Sequence, residues 1–318
     1  MLRLHTVVLL TAFWAALFGV APACAEALFP KGLRVGLEPP AGMTASAQFS
    51  GFEDKERKAS IKILDLPAAA YESLEKGLFA APKDNSAITI EKRESFPFKD
   101  GLGFLVAFRQ EKDGATLHRW VMIAKSISHS VPNLAAMVDV EVPDAALSVY
   151  GDAAVRAALK SVTFRPPPID EQLSMMPFKL DDRAGFRVMR VMPTGAVILI
   201  DAPDDDVTRN PYMIVSVGNG APEKAGDRAE FSRQLLMTAP LADLKLTSME
   251  TIRVQNFPAI EIRAEAKGPR GDPLSIIQWI RFGGVGFLRV VGITPKDKWD
   301  ALFPRFRTVR DGVMPREH

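Results

Sequence analysis

The chain has 318 residues, 47% apolar and 25% charged, with 40 basic against 38 acidic side chains and a single cysteine. That composition is globular and excludes disordered, collagen-like and disulfide-dense classes. A net charge of +2 gives no electrostatic footing for nucleic-acid binding, and the length allows about two domains of ordinary size.

Residues 1–25 read as a secretory signal peptide. Arg3 supplies the positive start, Val7 to Val20 an almost unbroken apolar stretch, and Ala23-Cys24-Ala25 the small residues of a cleavage site after Ala25. The apolar stretch is short of the ~20 residues of a spanning helix, so a retained anchor is the weaker reading. Ala21-Pro22-Ala23 is a poor match to the segment that precedes a lipidated cysteine, which disfavours a lipoprotein. Cleavage leaves an exported, periplasmic or secreted chain without cysteine and without a transmembrane span. Its core alone must hold it together.

The rest of the chain reads as one pattern written twice. In the first half, strands are expected at Leu33–Leu37, Ala45–Phe52 and Ser60–Leu66, followed by a helix over Ala68–Phe79. Strands follow at Ile88–Phe96, Gly103–Gln110, Thr116–Ser126 and Leu134–Val142, and a last helix over Asp144–Leu159 is broken near Gly151. Arg165-Pro166-Pro167-Pro168 then reads as a stiff linker. The second half repeats the order. Strands are expected near Phe186–Met192, Ala196–Asp201 and Tyr212–Val217, a helix near Arg228–Leu236, and strands near Thr247–Val254, Ala259–Ala266, Leu274–Phe282 and Gly286–Ile293. A closing helix spans Lys296–Phe306.

Short motifs support the duplication. Gly32-Leu33-Arg34-Val35 recurs as Gly185-Phe186-Arg187-Val188, and Glu94-Ser95-Phe96 as Glu250-Thr251-Ile252. The alternating Phe104, Val106, Phe108 matches Ile260, Ile262, Ala264, and Leu117-His118-Arg119-Trp120 matches Ile276-Ile277-Gln278-Trp279. Val142-Pro143-Asp144 parallels Thr294-Pro295-Lys296. The expected fold is therefore α+β, with tandem domains at 26–164 and 169–318 joined by 165–168. Each is an antiparallel sheet of about six or seven strands with flanking helices.

This element order, with aromatic strands and a closing helix, resembles the PsbP/Mog1-like fold and its DcrB-type exported bacterial members. The resemblance implies action by binding, and it carries no shared catalytic motif.

The residues offer little assembled chemistry. After signal removal only His118, His129 and His318 remain as histidines, with no cysteine, so thiolate and three-histidine zinc sites are excluded by count. No catalytic residue is assigned. His118 and His129 stand as the candidates for a dispersed hydrolase site, but neither has a visible partner, and a structural role for His118 is favoured. There is no Gly-x-Ser-x-Gly or Ser-x-x-Lys motif, and Gly283-Gly284-Val285-Gly286 reads as a hairpin turn. Asp201, Asp204, Asp205 and Asp206 form the one acidic cluster that suggests calcium, although a solvated turn is the stronger reading. Trp299, Phe303 and Phe306 share a helical face and are expected in the core.

The leading expectation is an exported, non-enzymatic binding protein with an envelope or other extracytoplasmic protein as its partner and no cofactor. An exported hydrolase near His118 or His129 and a calcium-stabilised envelope protein are the alternatives.

Overall fold

The computed structural model describes residues 26–79, 88–112, 114–283 and 286–316. The expected signal peptide, with its expected cleavage at Ala25, and the terminal His318 lie outside the described residues. The chain divides into two compact units. Residues 35–128 and 132–163 belong to the first, and residues 29–34, 129–131 and 164–318 to the second.

The first unit contains β1 (Val35–Gly36), β2 (Thr44–Ala45), β3 (Gly51–Asp54), β4 (Ala59–Pro67), α1 (Ala70–Phe79) and β5 (Ile88–Ser95). It continues with β6 (Gly101–Lys112), β7 (Ala115–Ser126), β8 (Leu134–Pro143) and α2 (Asp152–Lys160), and β9 (Thr163–Phe164) begins at the unit's last residue. Seven strands form one antiparallel sheet in the order β2-β3-β4-β8-β7-β6-β5. Alternation along β6 and β7 sends Phe104, Val106, Val121 and Ile123 to the face where Tyr71 and Leu74 of α1 pack. Trp120 points to the opposite face, toward α2.

The second unit contains α3 (Ile169–Ser174), β10 (Phe178–Leu180), β11 (Arg187–Met192), β12 (Ala196–Ile200), β13 (Tyr212–Asn219) and α4 (Arg228–Met237). There follow β14 (Ala242–Val254), β15 (Phe257–Lys267), β16 (Pro273–Phe282), β17 (Gly286–Pro295), α5 (Trp299–Asp311) and β18 (Val313–Pro315). Its sheet order, β11-β12-β13-β17-β16-β15-β14, repeats that of the first unit strand for strand. Ile276, Ile280 and Phe282 face Leu236 of α4, while Ile277 and Trp279 face Leu302, Phe306 and Val309 of α5. Gly292 lets α5 approach, because a Cβ there would lie 2.8 Å from the Phe306 ring. The β14–β15 hairpin turns through Gln255 and Asn256, with φ of 50° and 66°. Two consecutive positive φ values give a turn whose twist matches the flanking strands.

The two tandem α+β units, each with a seven-stranded sheet and flanking helices, match the fold class expected from the sequence. Several details differ. The expected strand Ala45–Phe52 is two short strands, β2 and β3, with a bend over 46–50. The helix expected over Asp144–Leu159 is broken near Gly151 as expected, its first part being only a 3-10 turn at Asp144–Ala146 before α2. The strand expected at Leu33–Leu37 is present as the shorter β1, but it pairs with β9 in a small two-stranded sheet and not in the main one, and β10 and β18 form a second such sheet too short to read from periodicity.

The repeat alignment also slips. Val106 pairs with Val121, one residue beyond Trp120, whereas Ile260 pairs with Ile280, one beyond Trp279. Val106 thus corresponds to Ile260 and not to Ile262. A slip of two leaves every side chain on its own face, so alternation alone cannot detect it. Gly185 precedes β11, the counterpart of β2, and so corresponds to Gly42 and not to Gly32. All three glycines have positive φ, so the match rests on their place before the strands. Arg165, at the start of the expected stiff linker, makes specific contacts of its own. Its guanidinium grips both carboxylate oxygens of Glu171 at 2.7 and 2.8 Å, donates to the Leu33 carbonyl at 2.9 Å and covers the Phe29 ring.

Candidate functional site

His118 sits on β7 beside Trp120, and their rings are roughly parallel with centroids 6.3 Å apart. The structure supplies the partner that the sequence did not show. His118 Nε2 lies 3.0 Å from Asp144 Oδ1, at the start of the 3-10 turn that follows β8. Twenty-six positions separate the two in sequence, which is why no local motif marks the pair. A carboxylate can orient an imidazole, but acyl transfer also needs a nucleophile beside the ring. Among the described residues no Ser, Thr or Cys side chain bonds His118. His129 is exposed in the loop after β7 and is not brought to His118 by any hydrogen bond.

The four aspartates of the acidic turn are each engaged by neighbouring donors. Both oxygens of Asp201 accept from Arg305 of α5 at 2.7 and 2.8 Å. Asp205 pairs with Arg187 at 2.6 Å. Asp206 accepts from Thr208 and Arg209, whose hydrogen bonds hold its carboxyl down to about 2. Asp204 accepts from Asn210 at 2.8 Å and from the Asp206 amide at 3.0 Å. Arginines therefore engage Asp201, Asp205 and Asp206, and Asn210 engages Asp204, at oxygens that a hard cation would use. No group of three or more metal-ligating side chains occurs among the described residues.

One polar cluster gave no sequence signal. Asp54, at the end of β3, accepts from Tyr150 Oη at 2.7 Å, from Arg57 Nη1 at 2.9 Å and from the amides of Glu56 and Arg57. The hydrogen bond from Tyr150, then those from Arg57, hold its carboxyl at about 2. This is a buried staple across the β3–β4 turn, with Gly42 leaving room for the Tyr150 hydroxyl.

The two tryptophans at matching positions are satisfied differently. Trp120 Nε1 donates to Asp152 of α2 at 2.9 Å, and Arg156 ties Asp152 to Glu94 with bonds of 2.6 Å each. Trp279 Nε1 donates to Glu261 of the neighbouring strand at 2.7 Å. Arg310 covers the Trp279 ring at 4.9 Å, and Phe303 stacks between Trp279 and Trp299.

The sheet edges differ as well. β5 is an edge strand with a register irregularity between Ile90 and Lys92 and four successive charges, Glu91 to Glu94. Those are the usual defences of an edge against pairing. β14 is longer and has two irregularities, between Ala242 and Lys245 and between Leu246 and Ser248. From Ser248 to Val254 its pairing with β15 is regular, and its other side pairs with no strand among the described residues. Glu250 and Arg253 are the only charges in that run, and Met249 is 43% exposed.

No family model matches the chain, and no curated protein matches it. Solved structures similar to it include LpqN of Mycobacterium tuberculosis, described as involved in cell envelope biogenesis. That likeness has 14% identity, covers 43% of this chain and 83% of that one, and has a TM-score of 0.35. The PsbP protein of the cyanobacterium Synechocystis is similar at 12% identity over 44% of this chain and 91% of that one, with a TM-score of 0.29. The T6SS immunity protein TplEi of Pseudomonas aeruginosa is similar at 11% identity over 91% of this chain and 97% of that one, also with a TM-score of 0.29.

Proposed function

We propose that the protein is an exported, non-enzymatic binding protein of the cell envelope, and that it takes an extended segment of an extracytoplasmic partner protein along β14. The observation that carries this reading is the regular, unpaired outer side of Ser248–Val254. In such an edge, alternate residues aim backbone N–H and C=O groups outward, and seven residues present roughly 23 Å of hydrogen-bonding ladder. Strand addition satisfies those groups and gives affinity through the main chain. Each sheet carries a helix on each face, so the edge and not a face is the open element for a partner.

The test is a pair of prolines. Of Glu250 and Thr251, neighbours in a regular antiparallel pairing, one directs its N–H to β15 and the other outward. Proline at the first position lowers stability, while proline at the second leaves the melting temperature at the wild-type value. The full chain, crosslinked in intact cells and purified, captures a reproducible partner. The fold-preserving proline variant loses it. Undiminished capture by that variant, or no reproducible partner of the wild-type chain, overturns the reading.

A hydrolase centred on His118 is the second reading, favoured by the 3.0 Å contact with Asp144. Profiling against ester, amide and phosphoester substrates decides it. Activity lost in His118→Ala supports it, and activity unchanged in that variant removes the residue.

A further inference from the structure

A cavity of about 470 Å³ opens in the second unit beside β15, β16 and β17, within the ~300–1,000 Å³ usual for small-molecule sites. Phe178, Val217, Phe257, Phe287 and Leu288 give it a largely apolar wall. Arg281 of β16 also lines it and is only 8% exposed.

The surroundings of Arg281 are unusual for a buried cation. Its Nη1 donates to the Gln255 side chain and, at 3.4 Å, to the Val313 carbonyl, and its guanidinium lies over the Phe257 ring at 5.2 Å. All three partners are neutral. A second guanidinium, Arg316, lines the same cavity and donates to the carbonyls of Met176 at 2.9 Å and Leu173 at 3.1 Å. No acidic side chain lines the cavity. A guanidinium stays charged in proteins, and a buried charge is ordinarily paired. Burial pulls Arg281 below the usual arginine range. The missing counter-charge is then a property of the site.

We propose that this cavity binds an amphipathic anion, with an anionic head on Arg281 and an aliphatic tail against the phenylalanines. A carboxylate accepts two parallel N–H bonds from a guanidinium, and a phosphate or sulfate head offers the same geometry. The apolar wall accounts for the tail, and the exposed Phe257 (45%) marks its entrance.

Calorimetric titration of the full chain with decanoate, decyl phosphate and decanol tests the assignment. At least one of the two anions binds, and decanol binds at least tenfold more weakly than that anion. Shortening the tail by one methylene weakens binding about fourfold, the equivalent of ~0.8 kcal/mol. Arg281→Met abolishes the preference for the anion while keeping the fold. Phe257→Glu, at an exposed rim position, keeps the fold in any case and weakens anion binding at least tenfold. No binding of either anion overturns the proposal. So does equal binding of anion and decanol, or undiminished anion binding in folded Arg281→Met or in Phe257→Glu.

Discussion

The two units share one strand order and differ in how they close. In the first, the central tryptophan reaches out of the sheet to a helix carboxylate, and the outer strand β5 is guarded by four charges. In the second, the tryptophan is satisfied inside the sheet by Glu261, the closing helix packs through stacked aromatic rings, and half of β14 is unguarded. The difference teaches that duplication preserves the pairing order while the polar satisfaction of the core and the treatment of the edge vary independently. A guarded edge suits a unit that only has to fold. An open regular edge is a liability unless something pairs with it.

The largest expected effect tests the aromatic closure of the second unit. Phe306, fully buried against Gly292 and Phe186, should cost about 3–5 kcal/mol when cut to alanine, measured by urea unfolding. A loss below ~1 kcal/mol would show that α5 does not close that sheet. The tryptophan contrast comes next. Glu261→Ala leaves the Trp279 N–H buried without an acceptor and should cost about 1–3 kcal/mol. Asp152→Ala should cost less than about 1 kcal/mol, because its side chain is 59% exposed and water can replace it. Equal losses would erase the distinction between the two units.

A pH series sharpens the picture of the first unit. Asp54 is held at about 2 in the folded chain, below the ~3.9 of an unfolded aspartate. A depressed carboxylate contributes stability above its unfolded value and loses it as pH falls through the folded one. The melting-temperature gap between wild type and Asp54→Asn should therefore be full at pH 6 and shrink from pH 4 to pH 2. A gap that is constant across this range contradicts the staple. The smallest effect concerns the acidic turn. With arginines on Asp201, Asp205 and Asp206, millimolar calcium should move the melting temperature by less than about 1 °C. A clear rise that Asp204→Asn abolishes would restore the calcium reading.

Much of the architecture was legible because hydrophobic alternation and helical spacing are local. The seven-stranded units, the helices near α1, α2, α4 and α5, and the aromatic face of α5 all follow from those periods. What could not be read depends on register and on distance along the chain. A two-residue slip keeps every side chain on its own face, so the correspondence of Val106 with Ile260 had to come from the sheet. The bonds of His118 to Asp144, Tyr150 to Asp54 and Arg305 to Asp201 join residues 26, 96 and 104 positions apart. The acidic turn looked free in sequence because two of its three arginines, Arg187 and Arg305, come from other elements. The open run of β14 was equally hidden, since an edge is defined by the strand that is missing beside it.

Thr251 on β14 and Arg93 on β5 occupy the same place in the two sheets, opposite Ile260 and Val106. A photo-crosslinking residue at each position, in the full chain in intact cells, compares the open edge with the guarded one directly. A single protein adduct is expected from position 251 and none from position 93. Adducts of equal yield from both, from position 93 alone, or from neither would contradict that expectation.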